Sequence, residues 1–211
     1  DPCQAHDVLS AVRESVLETI PVTVKLRRGW DDTVTSAENF YSVFDHAYDV
    51  GYSWATVHPR TAEQRYIGPS DWLFLKELTT RRPDNLIFGS GDVWCAADIF
   101  RMMHQTGVNG VSVARGCIGN PWIFNQARAL MAGDIPLPPT VAQQRTALLD
   151  HIALCMQLHG EKKASRLMRK FGIQFSKYHP QAEEVRKRFI KSQSFLEWKR
   201  VIDIFYSSDS K

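Results

Sequence analysis

Apolar, β-branched runs alternate with amphipathic stretches along the first 125 residues of the chain. The apolar runs predict β-strands over residues 21–27, 55–58, 86–89 and 110–114. The amphipathic stretches, whose apolar positions recur three and four residues apart, predict helices over residues 7–17, 35–50, 71–80 and 96–105. Thr35 and Glu38 have the spacing of a capping box at the start of the second helix. This alternation is typical of an α/β fold with a parallel sheet and crossover helices.

The pattern changes after a proline-rich segment that contains Pro136, Pro138 and Pro139. Everything beyond it is predicted to be helical. The predicted helices cover residues 151–158, 164–175, 180–190 and 195–205. Ser194 and Glu197 have the spacing of another capping box. We therefore place a domain boundary near Pro136, with an α/β domain over residues 1–135 and an all-α helical bundle over 136–211.

The composition is that of an ordinary globular protein, with 44% hydrophobic and 23% charged residues. It argues against disorder, and no apolar run approaches the roughly 18 residues that a membrane-spanning helix needs. The four cysteines are far apart and form no CxxC pair, so neither a disulfide framework nor a zinc site is expected. This usage of cysteine favours a reducing cytoplasm and a protein without a metal.

Positive charge is concentrated in the second half of the chain. Residues 161–200 contain twelve basic and four acidic side chains, whereas the whole chain has a net charge of only +3. Such asymmetry suggests a polyanionic partner for the helical part. On charge alone, a solvated helix surface explains the pattern equally well.

Polar and glycine-rich residues follow each predicted strand, which is where a barrel of parallel strands places its functional groups. Lys25, His58 and Arg60 lie at the ends of the first two strands, and residues 89–92 and 114–116 follow the last two. Glycines and an arginine in those last two loops suit a phosphate group. Taken singly, each residue has a plainer interpretation, as a turn glycine, a salt-bridged arginine or a structural histidine. Their convergence on one end of a sheet favours a binding site.

Four segments carry a resemblance to a known family: PVTVKLRRGW, TVHPRTAEQRYIGPSDW, FGSGDV and VARGCIGNPWIF. In this order and spacing, over residues 1–124, they resemble the tRNA-dihydrouridine synthases. The later segment MRKFGIQFSKYHPQAEEVRKRFI is similar to the helical domain of that family. The resemblance implies the C-terminal half of a flavin-binding (β/α)8 TIM barrel, with four parallel strands, followed by a helical domain that grips tRNA. It also implies that FMN, reduced by NADPH, serves to reduce the C5–C6 double bond of uridine.

The resemblance assigns cofactor contacts position by position. The matching residues are Lys25, His58, Ser90, Gly91, Asp92, Ala114 and Arg115. In the family, the first two contact the flavin ring and the others form the phosphate loops. Three departures occur, since Ser90 stands where the family has Asn, Ala114 where it has Gly, and Pro59 where Gly follows the histidine. None of them argues against flavin binding in a full-length protein.

The same resemblance strengthens the prediction that the basic helices bind a polyanion, and it implies that this partner is tRNA. The cations expected to bind tRNA are Arg60, Lys163, Arg166, Arg169, Lys170 and Lys177. On one continuous helix, Lys163, Arg166, Lys170 and Lys177 would share a face, which suits phosphate contacts along a folded RNA. The family's basic-basic-His signature would fall at residues 169–171, where Phe171 replaces the histidine.

The resemblance also implies that the family's catalytic cysteine lies upstream of Asp1. Cys3 matches a position at the head of a helix rather than that cysteine. We therefore expect no catalytic residue within the chain, no activity from it alone, and an N-terminal barrel half as a partner. Two alternatives remain: a non-catalytic RNA-binding remnant that has lost flavin, and a flavin barrel enzyme acting on a small pyrimidine.

Overall fold

A four-stranded parallel sheet with crossover helices comes first, and a set of helices follows it. The computed structural model describes residues 1–207. The first part contains α1 Pro2–Ser15, β1 Thr23–Arg27, α2 Val34–Asp49, β2 Trp54–His58, α3 Trp72–Arg81, β3 Ile87–Ser90, α4 Ala96–Thr106 and β4 Gly110–Ser112. The second part contains α5 Ile123–Met131, α6 Val141–His159, α7 Glu161–Phe175, α8 Ala182–Lys191 and α9 Phe195–Phe205, with 3-10 turns at Arg115–Cys117 and Ser176–Tyr178.

Contacts divide the chain into two compact units. The first is Asp1–Ala114, which we call the sheet unit, and the second begins at Arg115, which we call the helical unit. The sequence placed its boundary near Pro136, after α5, whereas the contacts group α5 and the preceding turn with the later helices. The order of elements confirms an α/β sheet followed by helices.

The sheet has the strand order β1-β2-β3-β4, and every neighbouring pair is parallel. Alternating residues of the strands, such as Val57 and Ile87, face the helices and are fully buried among apolar side chains of α2, α3 and α4. The intervening residues Lys25, Thr56 and Phe88 stand in register on the opposite face. The sheet therefore has one apolar face covered by helices and an opposite, mixed face that carries polar side chains beside Phe88, which we call the polar face.

Side-chain caps fix where several helices begin. Thr33 and Asp71 accept the backbone N–H of Ser36 and Phe74 at the starts of α2 and α3. At the start of α6, Thr140 and Gln143 form a full capping box. Each such cap satisfies an N–H group that would otherwise lack a partner in the first helical turn.

The helical unit encloses its own core. Trp198 is fully buried and lies among side chains of α6, α7 and α8. Its indole Nε1 donates to the backbone oxygen of Met168 at 3.2 Å, which satisfies the only polar group of a large buried side chain. Within residues 1–207, no helix is long and apolar enough to cross a membrane.

Several predicted details differ from the structure. Thr33 rather than Thr35 caps α2, because the Thr33 hydroxyl accepts the Ser36 N–H at 3.2 Å. Helix α5 was not predicted, and α6 begins ten residues before the predicted start at 151. Cys3 lies in the first turn of α1, as expected, but it is exposed.

Candidate functional site

The carboxyl ends of β1, β2 and β3 bring a row of polar side chains together on the polar face of the sheet. Arg27 and His58 are paired in register. Ser90 Oγ lies 3.3 Å from His58 Nδ1, so the row continues to the third strand. Because neighbouring parallel strands in register direct their side chains to the same side, three residues that are distant in sequence share one edge of the sheet.

The surroundings of His58 are electropositive. Burial, followed by the positive charges of Lys25, Arg27 and Arg60, lowers the pKa of His58 to about 4, while Asp92 opposes this shift. His58 is therefore neutral at pH 7 and has one ring nitrogen as donor and one as acceptor. An electropositive site of this kind favours an anionic ligand.

Gly91 lies directly against the histidine. Its φ of +109° is in the region that favours glycine. A Cβ atom there would lie 2.3 Å from Ser70 Oγ and 2.9 Å from His58 Cε1, so no side chain fits. Ser70 Oγ is buried and meets no partner within residues 1–207. The loop thus packs bare backbone against Ser70 and the imidazole, and its predicted role as an anion cradle stays a prediction.

Arg60 and Asp92, which the sequence assigned to separate roles, form an ion pair. Arg60 Nη2 lies 2.6 Å from Asp92 Oδ2, and only 2% of the arginine side chain is exposed. A surface phosphate has little access to a guanidinium buried in this way. The predicted contact between Arg60 and RNA therefore has no support in this arrangement, whereas Asp92 does lie beside the predicted cradle.

Ala114 and Arg115, the last predicted cofactor residues, lie on either side of the division between the two units. Ala114 follows β4, and Arg115 begins the 3-10 turn Arg115–Cys117. Their assignment to a phosphate stays a prediction.

The helical unit contains a cavity of about 430 Å³ that is lined mainly by basic side chains. The lining residues are His159, Lys162, Lys163, Arg166, Arg169, Ser192 and Gln193. Among the described residues, none of its four lysines and arginines forms a salt bridge. Three of these cations were predicted to bind RNA, while His159 and Lys162 were not singled out. Lys162 lies four residues before Arg166 on α7, a spacing that could have identified it, whereas His159 ends α6 and leaves no such signal.

The other two predicted RNA cations lie outside this cavity. Lys170 is exposed on α7. Lys177 lies beyond the end of α7 at Phe175, in the 3-10 turn Ser176–Tyr178, so its predicted place on one continuous helix face is wrong. Within residues 1–207 there is no group of three or more metal-binding side chains.

The family model and the individual relatives that match this chain agree on one family. The family model described as dihydrouridine synthase (Dus) matches residues 1–204. A probable tRNA-dihydrouridine synthase of Treponema pallidum is 31% identical over 208 residues, which cover 96% of this chain and 60% of that protein. Proteins of the same description from Mycobacterium leprae and Mycobacterium tuberculosis are 34% and 32% identical and are covered to 46% and 50% of their lengths. The chain thus spans about half to three-fifths of these curated relatives, and it belongs to the dihydrouridine synthase family.

Proposed function

We propose that the protein takes part in the reduction of uridine to dihydrouridine in tRNA, with FMN as cofactor and NADPH as reductant. The observation that carries this proposal is the convergence of Lys25, His58 and the Gly91 cradle on the polar face of the sheet and at its carboxyl end. The electropositive surroundings of His58 and the bare backbone at Gly91 fit the phosphate-bearing, anionic FMN molecule. When bound, such a cofactor supplies hydride transfer.

Each residue of this edge has a role that follows from its chemistry. The Lys25 ammonium would stabilise negative charge on a bound ring. Neutral His58 would offer a hydrogen bond without adding charge, and Ser90 would orient the imidazole through its hydroxyl. Arg27 donates to the backbone oxygen of Thr61 at 3.0 Å, so it also holds the loop that follows β2.

We further propose that the sheet is one half of a barrel. Parallel sheets are generally covered on both faces, and here the polar face carries Lys25, Thr56 and Phe88 in register. β1 and β4 are the outer strands of the sheet. Additional strands would pair with those two edges and enclose the polar face. In this proposal, none of the four cysteines acts as the proton donor for C5 of the uracil.

The helical unit would bind the RNA backbone. Its basic cavity offers the side chains of Lys162, Lys163, Arg166 and Arg169 to phosphate groups. Other cations of this unit are already paired, as Arg188 is with Glu184 at 2.8 Å and Lys199 with Asp203 at 2.7 Å. Cations without such partners gain most from contact with phosphate, because no ion pair has to be broken.

Titration of the protein with FMN, followed by flavin fluorescence, tests the cofactor proposal. We expect saturable binding, and Lys25→Ala should weaken it about tenfold, since a charge-assisted contact contributes roughly 1.5 kcal/mol. Lys76→Ala, on the exposed side of α3, is the matched control. Absence of FMN binding together with retained tRNA binding would instead indicate an RNA-binding remnant. Reduction of a free pyrimidine without any need for tRNA would indicate a small-molecule enzyme.

Binding to tRNA at several salt concentrations tests the role of the cavity. The triple variant Lys163→Gln, Arg166→Gln, Arg169→Gln should bind more weakly and should reduce the slope of log K against log salt by up to about 3, roughly 0.9 per phosphate contact. The control variant Lys187→Gln, Arg188→Gln, Lys199→Gln removes the same charge from cations that lie in ion pairs. Equal losses in the two variants would show that only net charge matters.

A further inference from the structure

Two loops of the sheet unit are joined by a buried ion pair. The first, which we call the Arg60 loop, covers residues 59–71 between β2 and α3. The second, the Gly91 loop, covers residues 91–95 between β3 and α4. Arg60 and Asp92, whose side chains are 2% and 23% exposed, connect them at 2.6 Å.

Further hydrogen bonds strengthen the connection at both ends of the Arg60 loop. Asp92 Oδ2 also accepts the backbone N–H of Ser70 at 2.7 Å. Arg60 Nη2 donates to the backbone oxygen of Gly68 at 2.8 Å. Trp72 Nε1 donates to the backbone oxygen of Gly91 at 3.0 Å. One carboxylate and one guanidinium therefore hold the start and the end of the Arg60 loop against the Gly91 loop.

The ion pair is poorly suited to a purely stabilising role. Arg60 Nε and Nη1 are buried and meet no acceptor within residues 1–207. Removing a guanidinium from water costs free energy that one carboxylate contact does not offset when other donors stay unsatisfied. A well-packed apolar pair of similar volume would stabilise the fold at least as well. Stability alone therefore does not explain the charged pair.

That geometry concerns Gly91 and His58. Asp92 and Gly91 both have positive φ, at +55° and +109°, and positive φ is uncommon for a non-glycine residue such as Asp92. In this conformation of the loop, Gly91 lies so near the imidazole ring that a Cβ atom on it would be 2.9 Å from His58 Cε1. Asp92, which pairs with Arg60, is therefore the immediate chain neighbour of the glycine that lies beside His58.

We propose that Arg60 and Asp92 are positioning residues, whose buried ion pair sets the spacing between the Gly91 cradle and His58. This rests on the proposed binding of an anionic cofactor at that edge, and it gives Arg60 a role inside the sheet unit instead of at the RNA surface. Neither side chain needs to contact the cofactor for its loss to weaken binding.

Three variants test the proposal in the intact protein: Arg60→Gln, Asp92→Asn and, as the control, Arg65→Gln at an exposed position of the same loop. Two readouts are combined. The nuclear Overhauser contact between Gly91 Hα and His58 Hε1 reports the spacing directly, without any ligand. FMN titration reports its consequence.

We expect Arg60→Gln and Asp92→Asn to lose the Gly91–His58 contact and to bind FMN about tenfold more weakly or worse, since small displacements of a binding group have effects of this size. Arg65→Gln should behave as the unmodified protein. If Arg60→Gln fails to fold, Asp92→Asn, which keeps the shape of the side chain, provides the same readouts.

Retention of the Gly91–His58 contact in folded Arg60→Gln and Asp92→Asn would overturn the proposal, even if the melting temperature falls. Loss of tRNA affinity in Arg60→Gln with that contact intact would also overturn it, because Arg60 would then be an RNA contact. If the unmodified protein binds no FMN, the proposed function fails, whereas the nuclear Overhauser comparison still decides whether the ion pair sets the spacing.

Discussion

The two units of this protein use their apolar residues in different ways. In the helical unit, the fully buried side chains of Met168, Phe189 and Trp198 meet in one core that α6, α7, α8 and α9 share. In the sheet unit, Phe44 and Leu78 pack against one face of the sheet only, and the other face carries polar groups such as Lys25. A core shared by several helices favours stability, whereas a sheet with one polar face leaves that face available to bind a ligand.

This difference predicts that the units respond independently to core mutations, because no residue belongs to both cores. Trp198→Ala should have the largest effect, a loss of about 3–5 kcal/mol, because it deletes a fully buried indole. Hydrogen exchange followed by mass spectrometry should show faster exchange throughout α7, α8 and α9. Peptides from β1, β2 and β3 should keep their protection.

The control for this experiment is Leu196→Ala, on the same helix but 59% exposed, which should change stability by less than about 0.5 kcal/mol. If β1–β3 lose protection together with the helices in Trp198→Ala, the two units unfold as one and the comparison is wrong.

The next largest effect is expected at glycines that have close neighbours in each unit. In α7, a Cβ on Gly172 would lie 2.6 Å from the ring of buried Phe189, and in β3 a Cβ on Gly89 would lie 2.7 Å from Met102 Sδ. A buried ring has no room to move, while methionine adapts. Gly172→Ala should therefore cost about 1–3 kcal/mol in urea unfolding, and Gly89→Ala should cost less. The reverse order would mean that the helical core is the more adaptable one.

The strand positions could be predicted from sequence because each strand is a short apolar run between polar loops. β2 and β3 begin and end within one residue of the prediction. Helix α5 was missed because its N-terminus has no side-chain cap and so leaves no start signal in the sequence. The start of α6 did leave one, the capping box of Thr140 and Gln143, and attention to that spacing would have placed it.

The site could be predicted only in part. His58 does lie at the end of β2, as the sequence predicts, whereas Lys25 lies in the middle of β1, and the cofactor contacts of both stay predictions. The pairing of Arg60 with Asp92 could not be foreseen, since it depends on how two loops fold against each other across 32 positions of the chain. The burial of Arg60 follows from that pairing, and for this reason an arginine that looked like an RNA contact lies inside the unit.

Helix caps should produce a smaller effect that stays within one unit. Thr140→Ala removes the hydroxyl that accepts the Gln143 N–H at 3.2 Å and should destabilise α6 by about 1 kcal/mol. Thr33→Ala should do the same for α2 in the sheet unit. Hydrogen exchange would detect each loss in the first turn of its own helix. Thr146→Ala, in the interior of α6, is the control and should be neutral or slightly stabilising; destabilisation there equal to that of Thr140→Ala would argue against the cap.

The most local effect concerns two histidines. His58 in the sheet unit has its pKa lowered to about 4 by burial and by three cations, whereas burial alone lowers the pKa of His151 in the helical unit. A lowered histidine pKa means that the unfolded chain binds the proton more readily, so this contribution to stability is complete above about pH 6.5 and is lost as the pH falls towards 4. Because His58 is only half-buried, solvent limits the size of that loss.

Added salt distinguishes the two causes of a lowered histidine pKa, which are burial and neighbouring positive charges. Nuclear magnetic resonance titration of the ring protons should show the pKa of His58 rising as added salt screens Lys25, Arg27 and Arg60, because screening acts on charges near the surface. The pKa of His151, which has no charged neighbour as a cause, should stay where it is. Equal responses of the two rings would show that the edge of the sheet is not electropositive, and the anionic ligand proposed there would lose its main support. A selective response at His58 would instead establish the difference between the two units at single residues: burial alone lowers the pKa of one histidine, and burial together with nearby cations lowers that of the other.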